Sequence, residues 1–300
     1  MLEKLLTEQR NPASEGIDAK PVTEILRLIN EEDRKVADSV TSEIPRITQA
    51  VERIVDRIRN GGRLFYIGAG TSGRLGVLDA AECRPTFHVP DGLVQGIIAG
   101  GDKALARATE ASEDDPASGA SDLLARGFTA RDALVGIATS GRTPYVLGAV
   151  REARKMGAFT TGISCTTGSL LAQQVDVAIT PLVGPEVITG STRMKAGTAT
   201  KLVLNMISTA TMIRLGYVYG NLMVNVEPSN EKLRDRALRI IGQAAAVTQE
   251  DAVRLLEESA NSVRVAILMG KRGLSRQQAE ELLVRAGDRV RVALEMDLNG

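Results

Sequence analysis

The feature that most constrains the fold is an alternation of short apolar runs, rich in β-forming residues, with longer amphipathic stretches. The predicted strands are Arg63–Ile67, Val94–Ala99, Ala133–Ala138, Phe159–Ser164 and Val175–Thr180. Helical stretches separate most of these strands, and such alternation is typical of a mainly parallel sheet with helices on both faces. The sequence therefore predicts an α/β fold, in which ligands bind where strands end and helices begin.

The predicted helices repeat apolar residues at three- and four-residue steps. In the helix predicted over Ser42–Ile58, Ser42 is the expected N-cap, and Pro45 falls in the first turn, where proline is tolerated. Further helices are predicted at Val22–Val36, Ser72–Ala81, Ala104–Ala111, Pro144–Met156, Ser169–Gln174 and Met194–Leu215. The most apolar stretch, Leu202–Ile213, is well short of the ~20 residues that span a bilayer, so it predicts a buried helix and no membrane partner.

The chain is expected to divide into four stretches. Residues 1–58 form a helical segment, residues 59–222 the central α/β domain and residues 223–241 a connection, because the pattern is irregular before Glu231 and only helical after it. Residues 242–300 are expected to form a small C-terminal bundle of three helices. Ser229 or Asn230 is expected to cap the helix that follows.

Charge and rare residues exclude several classes of function. Lys and Arg together number 37, as do Asp and Glu, so no excess of positive charge is available for a nucleic-acid partner. Cys83 and Cys165 are far apart and His88 is the single histidine, which argues against a disulfide framework and a zinc centre. The two isolated cysteines favour a reducing cytoplasm, and Met1–Arg10 lacks the apolar core of a signal peptide. Acid–base chemistry should depend on carboxylates, lysine or tyrosine.

A glycine-rich turn at residues 68–74 joins the first predicted strand to a helix. Its glycines, Gly70 among them, allow close approach of a ligand, and Thr71 and Ser72 supply hydroxyl groups beside the positive end of a helix. That combination is typical of a phosphate site. The glycines also fit the GxGxxG pattern of dinucleotide sites, but no acidic residue supports this, since Asp91 lies in a Pro/Gly-rich loop. A tight turn without a ligand is the remaining alternative.

Two more turns repeat this chemistry. Residues 139–143 (TSGRT) follow the third predicted strand, and residues 190–193 (GSTR) precede the long apolar helix. Their hydroxyl-bearing candidates are Ser140, Thr143, Ser191 and Thr192. Three such turns suit one phosphate and several sugar hydroxyls, and the absence of GxxxxGK[ST] excludes a P-loop.

These motifs carry a family resemblance. GAGTSGR at 68–74 and TSGRTPY at 139–145 resemble the phosphosugar-binding loops of the sugar isomerase (SIS) domain. The stretch GRLFYIGAGTSGRLGVLDAAECRPTF at 62–87 is very similar to the N-acetylmuramic acid 6-phosphate etherases. So are NPASEGID at 11–18, IIAGGDKAL at 97–105 and EVITGSTRMKAGTATKLVLNM at 186–206. The resemblance covers nearly the whole chain; Arg84, where proline is expected in much of the family, departs from it.

The resemblance implies a SIS-type fold and a cytoplasmic homodimer that recycles cell-wall sugars. Its substrate would be N-acetylmuramic acid 6-phosphate, which water converts into N-acetylglucosamine 6-phosphate and D-lactate without a metal or other cofactor. The C-terminal helices resemble a ubiquitin-associated bundle. The glucokinase regulatory proteins share the SIS architecture.

Two glutamates match the family's acid/base residues. The resemblance implies that Glu82 protonates the departing lactate, aided by an apolar setting that would raise its pKa, and that Glu113 removes the proton on C2. A solvated Glu82 is the alternative. For Glu113 the alternatives are a solvated acidic cluster, or a shifted alignment that selects Asp114 or Glu110. The division of acid and base roles stays open.

The substrate-binding candidates combine the three turns with the resemblance. Phosphate is expected at Ser72, Ser140 and Thr143, and Gly70, Thr71, Ser191 and Thr192 are expected to face the sugar or the phosphate. Lys195 would add positive charge, unless it is a surface residue in the first turn of a helix. Arg74 and Arg142 are alternatively structural partners of carboxylates, and His88 and both cysteines are expected to be structural.

Three other functions compete with an etherase. A sugar-phosphate isomerase would share the turns and the proton abstraction but release no lactate. A sugar-phosphate sensor would bind its ligand without turnover, and Glu82 would have no special importance. A DNA-binding regulator is disfavoured by the neutral charge and by the lack of a clear helix-turn-helix ahead of residue 60.

Overall fold

A computed structural model describes residues 6–107 and 113–297. In these ranges five parallel strands form one sheet in the order β2-β1-β3-β4-β5. The strands are β1 Leu64–Gly68, β2 Val94–Ile98, β3 Ala133–Ile137, β4 Phe159–Ile163 and β5 Val177–Ile179. Every neighbouring pair is parallel, and all five predicted strands are present. The predicted α/β fold is confirmed.

Helices connect and flank these strands. The helices that precede the last long one are α1 Val22–Asp33, α2 Lys35–Thr41, α3 Ile44–Arg59, α4 Gly70–Phe87, α5 Lys103–Ala106, α6 Pro116–Ala125, α7 Pro144–Lys155 and α8 Leu170–Gln173. The remaining helices are α9 Lys195–Leu215, α10 Glu231–Ala245, α11 Gln249–Glu258, α12 Val263–Arg272, α13 Arg276–Arg285 and α14 Val290–Glu295. Within the described ranges, no helix combines the length and apolar composition needed to cross a membrane.

Two local predictions need correction, and one helix was missed. Ser42 is not the N-cap of α3, because the helix starts one residue later and Glu43 occupies that position. The predicted helix at Ala104–Ala111 corresponds to α5, which ends at Ala106; residues 108–112 lie outside the described part. Helix α6 was not predicted at all.

Helix α6 depends on close contact with α7. A Cβ atom on Gly119 would lie 1.9 Å from the carbonyl oxygen of Tyr145, and one on Gly148 would lie 1.9 Å from that of Pro116. The two backbones therefore pack against each other with only hydrogen atoms between them at these points. This tertiary contact stabilises a segment whose own small residues carry a weak helical pattern.

The chain forms two compact units. The first comprises residues 1–81 and 92–208, and the second comprises residues 82–91 and 209–300. In the first unit, β1, β3 and β4 are buried along their whole length, which is typical of the centre of a parallel sheet. The predicted division into four stretches stays a prediction.

The second unit is helical, with α10–α14 around an apolar core. Central members of this core are Val224, Ile241, Leu256, Ile267 and Leu268. Three helices were expected over residues 242–300, but four, α11–α14, are described there after the end of α10, so the expected number is wrong. The side chain of Asn230 accepts a hydrogen bond of 2.9 Å from the N–H of Leu233, which confirms Asn230 as a cap.

Candidate active site

The first two serine/threonine turns lie side by side at the carboxyl ends of β1 and β3, where the strand order of the sheet reverses. Strand β1 pairs with β2 on one side and with β3 on the other, and Gly68 is in register with Ile137. The carboxyl ends of β1 and β3 are therefore neighbours, about 4.8 Å apart. Open parallel sheets bind ligands in the crevice at this kind of reversal.

The turn after β1 needs its glycines for packing. A Cβ atom on Gly68 would lie 2.7 Å from the backbone nitrogen of Gly73, and one on Gly73 would lie 2.6 Å from the side chain of Ile98. Gly70 has a left-handed φ of 51°, which favours glycine. Thr71 is half-buried and Ser72 is buried in the first turn of α4. Their hydroxyls therefore lie at the positive end of this helix.

The turn after β3 is shaped by Gly141 and by the N-cap of α7. Gly141 has a left-handed φ of 64°, and a Cβ atom there would lie 2.2 Å from Cβ of Ser169. The N–H of Arg142 donates to Oγ of Ser140 at 3.4 Å. Thr143 is the N-cap residue, but in the described chain its side chain makes no capping hydrogen bond. Ser140 and Thr143 are both half-buried and lie at the amino end of α7, the end of a helix that attracts anions.

The third turn, residues 190–193, meets the first. Gly197 lies in the first turn of α9, and a Cβ atom on it would lie 3.6 Å from Cγ2 of Thr71 and 3.5 Å from the carbonyl oxygen of Thr192. Ser191 and Thr192 are half-buried. The first and third turns therefore approach each other beside Gly197, and the binding roles of their hydroxyls stay a prediction.

Lys195 is buried, not solvated. Only 1% of its surface is exposed, and its Nζ donates to Oε2 of Glu32 at 2.5 Å. Burial raises the pKa of Glu32, but hydrogen bonds from Lys195, Lys35 and Asn11 outweigh this effect and lower it to about 2. The interpretation of Lys195 as a surface residue is wrong, because its charge is paired with an internal carboxylate. A direct role toward substrate stays a prediction.

Glu113 is half-buried and tied to the second turn. Its carbonyl oxygen accepts a hydrogen bond of 3.0 Å from the N–H of Tyr145, the residue after Pro144. Of the alternatives, Asp114 is exposed, and Glu110 lies outside the described residues. Asp115 uses its carboxylate to cap α6, accepting from the N–H of Ala117 at 2.9 Å.

Glu82 lies on α4 and is exposed. The expected apolar setting is wrong for this chain taken alone, because Asp79 and Cys83 take the buried positions on either side and Glu82 points outward. Arg84, the departure from the family pattern, forms an ion pair with the exposed Asp91. Its charge is therefore shared with a carboxylate other than Glu82.

Comparisons with known proteins show which family the chain belongs to. The sequence profile of the glucokinase regulatory protein N-terminal SIS domain matches residues 46–154. An N-acetylmuramic acid 6-phosphate etherase of Caldanaerobacter subterraneus subsp. tengcongensis is 52% identical over 295 residues, which cover 98% of this chain and 96% of the relative. The chain belongs to the N-acetylmuramic acid 6-phosphate etherase family. The resemblance drawn from the motifs is thereby confirmed.

Other relatives agree with this family. The etherase of Jannaschia sp. is 56% identical over 266 residues, 89% of this chain and 84% of that protein. The etherase of Pectobacterium atrosepticum is 52% identical over 293 residues, 98% of this chain and 97% of that protein. Among solved structures, a phosphoheptose isomerase from Francisella tularensis has a TM-score of 0.50 at 21% identity, covering 63% of this chain and 100% of the isomerase. That likeness concerns the fold, and it agrees with a SIS-type architecture.

Asp79, whose buried carboxyl group lies within the etherase-like stretch 62–87, was not predicted to be important. Oδ1 of Asp79 on α4 accepts hydrogen bonds from Nδ2 of Asn205 at 2.7 Å and from Oγ of Ser208 at 3.2 Å. Burial raises the pKa of Asp79, against the opposite effect of hydrogen bonds that include one from Tyr66. This contact fastens α4 to α9. The available signal was a lone acidic residue within the apolar stretch 75–81.

Arg74 has partners other than the expected carboxylates. Its Nε donates to the carbonyl oxygen of Leu105 at 3.1 Å, and its Nη2 donates to that of Arg107 at 3.0 Å. Arg74 therefore holds the end of α5, from which the chain continues toward Glu113. Arg142 is half-buried, and its Nε is buried without a hydrogen-bond partner among the described residues.

The cysteines and the histidine have structural surroundings. Cys165 is fully buried, and burial raises its pKa to about 12, so its thiol is a poor nucleophile near neutral pH. Cys83 is also buried, with 2% of its surface exposed. Nδ1 of His88 lies 3.3 Å from a carboxylate oxygen of Glu227. These contacts agree with the structural roles expected for all three residues.

Proposed function

We propose that this protein cleaves the lactyl ether of N-acetylmuramic acid 6-phosphate with water, giving N-acetylglucosamine 6-phosphate and D-lactate. The observation that carries the proposal is the 52% identity to a named etherase over 98% of the chain. The three hydroxyl-bearing turns supply a site of suitable chemistry. An isomerase or a non-catalytic sensor is not favoured by these relatives.

We assign the phosphate group to the amino ends of α4 and α7. Ser72, Ser140 and Thr143 would donate hydrogen bonds from their hydroxyls, and Gly70 would let the phosphate approach the backbone. This assignment is supported by the adjacency of the two turns at the end of the paired strands β1 and β3. Two helix amino ends, each with a partial positive charge, stabilise an anion between them.

We assign the sugar hydroxyls to Thr71, Ser191 and Thr192. The close approach of the first and third turns at Gly197 supports this assignment. Lys195 would act by fixing the start of α9, since its Nζ is bound to Glu32.

The proposed reaction is an elimination followed by an addition. In the ring-opened sugar the C2 proton is acidic because it lies α to the aldehyde, and Glu113 would remove it. The C3–O bond breaks as Glu82 protonates the lactyl oxygen, and D-lactate leaves. Water then adds across the C2–C3 double bond, with hydroxyl going to C3 and a proton returning to C2. Each acid or base is expected to contribute about 10²–10⁴-fold.

We further propose a cytoplasmic homodimer, without a cofactor, that serves the recycling of cell-wall amino sugars. Large apolar side chains exposed on the first unit support self-association: Val22 and Leu26 on α1, and Leu78 and Met206 beside the Asp79–Asn205 contact. Light scattering of the purified protein tests the dimer. A monomer at micromolar concentration would contradict it.

The deciding experiment measures D-lactate released from N-acetylmuramic acid 6-phosphate, with EDTA present. The native protein and Glu250→Ala, an exposed control on α11, are expected to release D-lactate, whereas Glu82→Ala is expected to lose this activity. Ligand binding without release would indicate a sensor. Formation of a ketose phosphate without lactate would indicate an isomerase.

A further inference from the structure

The amino end of α9 is occupied by a carboxylate of the protein itself. Oε2 of Glu186 accepts a hydrogen bond of 3.0 Å from the N–H of Lys195, and Oε1 accepts one of 2.9 Å from the N–H of Ala196. Glu186 is 99% buried, since only 1% of its surface is exposed. The first amides of a helix are the groups that otherwise bind an external anion. In α9 two of them are already satisfied by Glu186.

A second set of contacts fastens the same region from the other side. Nδ2 of Asn11 donates to the carbonyl oxygen of Pro185 at 3.1 Å and to Oε2 of Glu32 at 2.9 Å. Oε2 of Glu32 also accepts from Nζ of Lys195. Pro185 and Lys195, which lie just before Glu186 and at the start of α9, are therefore both linked to Glu32. The three charged side chains that hold the start of α9, Glu32, Glu186 and Lys195, are all buried.

The loop between these fastened ends, residues 187–194, is open. Ile188, Thr189, Gly190 and Arg193 are exposed, and a cavity of about 480 Å³ separates residues 187–189 from the segment 10–18. The two ends of the loop are held by the contacts of Pro185, Glu186 and Lys195 described above. Just beyond the loop, a Cβ atom on Gly197 in the first turn of α9 would lie 3.6 Å from Cγ2 of Thr71. The buried contacts of Glu186, Lys195 and Glu32 therefore set where Ser191 and Thr192 lie relative to the first turn.

We propose that Glu186 is a positioning residue that determines which turns bind the phosphate and which bind the sugar, an arrangement we call the allocation of the substrate. Its carboxylate repels a phosphate from the amino end of α9, since like charges in a buried site destabilise each other. The phosphate is thus left to α4 and α7, and Ser191 and Thr192 are held for the sugar. This inference rests on the proposed function, because it names the subsites of that same substrate.

Glu186→Gln tests the allocation. The amide keeps the size of the side chain but turns an NH₂ group toward one of the two backbone N–H groups, which leaves a buried donor unpaired. Such a loss amounts to roughly 5–150-fold in an equilibrium constant. We expect kcat/KM for D-lactate release and the affinity for N-acetylglucosamine 6-phosphate each to fall by about tenfold or more. The affinity for inorganic phosphate, measured by calorimetry, is expected to stay within about twofold.

Two further variants make the result decisive. Glu52→Gln, on the exposed face of α3, is the matched control and should change neither binding nor activity. Glu186→Asp keeps the charge but is too short to reach both amides, so it should weaken sugar-phosphate binding and leave phosphate binding intact. It decides the matter if Glu186→Gln does not fold.

Two results would contradict the proposal. Native-like kcat/KM and sugar-phosphate affinity in both Glu186 variants would overturn the positioning role, and a parallel loss of inorganic phosphate binding would overturn the allocation. If the native protein releases no D-lactate, the proposed function fails, but the two binding measurements still decide the role of Glu186.

Discussion

The N–H of Tyr145 donates a 3.0 Å hydrogen bond to the carbonyl oxygen of Glu113. Tyr145 is the second residue of α7, directly behind the turn that carries Ser140 and Thr143. The proposed C2 base is therefore fastened to one of the two turns assigned to the phosphate. We therefore expect a shift of this turn on ligand binding to shift Glu113 as well.

Replacement of Glu113 by Gln should lower kcat for D-lactate release by about 10²-fold or more, because a general base contributes about 10²–10⁴-fold. Inorganic phosphate binding should be unchanged, since the backbone contact with Tyr145 is retained. Asp114→Asn, the exposed neighbour, is the control for a shifted alignment. If Asp114→Asn were the inactive variant and Glu113→Gln the active one, the assignment would move by one residue.

Arg74→Met should reduce kcat more than it weakens phosphate binding. The variant loses the hydrogen bonds to the carbonyl oxygens of Leu105 and Arg107, each worth about 1.5–3 kcal/mol for a charged donor. The end of α5, which precedes Glu113 in the sequence, is then less well fixed. Steady-state kinetics and phosphate calorimetry separate the two effects, with Arg46→Met on the exposed side of α3 as the control. A tenfold weaker phosphate affinity at unchanged kcat would instead make Arg74 a phosphate ligand.

Glu32→Gln should destabilise the protein at pH 7 by about 3 kcal/mol, because the pKa of Glu32 falls from 4.5 to about 2 on folding. A lowered pKa gives stability that is complete above pH 4.5 and is lost as the pH falls toward 2. The difference in unfolding free energy between native protein and variant should therefore shrink from pH 5 to pH 3. Urea unfolding at several pH values measures it. A constant difference across this range would contradict the ion pair with Lys195.

Asp79→Asn should show the opposite dependence on pH. Burial raises the pKa of Asp79, so the folded protein binds this proton more tightly than the unfolded chain does. The native protein then loses stability relative to the variant as the pH rises above 3.8, the ordinary value for aspartate. Urea unfolding at pH 4 and pH 7 tests the sign. A variant that becomes relatively less stable at pH 7 would show that Asp79 is ionised at little cost in its site.

The strands and the first two turns were predictable because their signal is local. Apolar β-forming runs marked all five strands, and glycines with hydroxyl residues marked the turn at 68–74 and the turn at 139–143. Parallel pairing then required the two turns to lie at one edge of the sheet. Local pattern and tertiary structure agree at these positions.

Helix α6 and the buried ion pair at the start of α9 were not predictable, because distant residues stabilise them. Helix α6 packs against α7 where Gly119 meets Tyr145, and its own small residues carry only a weak helical pattern. Lys195 and Glu32 are 163 residues apart, so nothing in the sequence near Lys195 indicates a buried ion pair. For Glu82, the neighbouring Ala80, Ala81 and Cys83 suggested an apolar setting, but adjacent helical residues face different directions, and Glu82 is exposed.

The most direct test of the account is the fate of oxygen during turnover of N-acetylmuramic acid 6-phosphate in oxygen-18 water. Elimination followed by water addition predicts D-lactate that keeps its own ether oxygen, unlabelled, and N-acetylglucosamine 6-phosphate with the label on C3. The sugar phosphate incubated alone in the same water corrects for exchange at C1. Labelled lactate, or no lactate at all, would contradict the account.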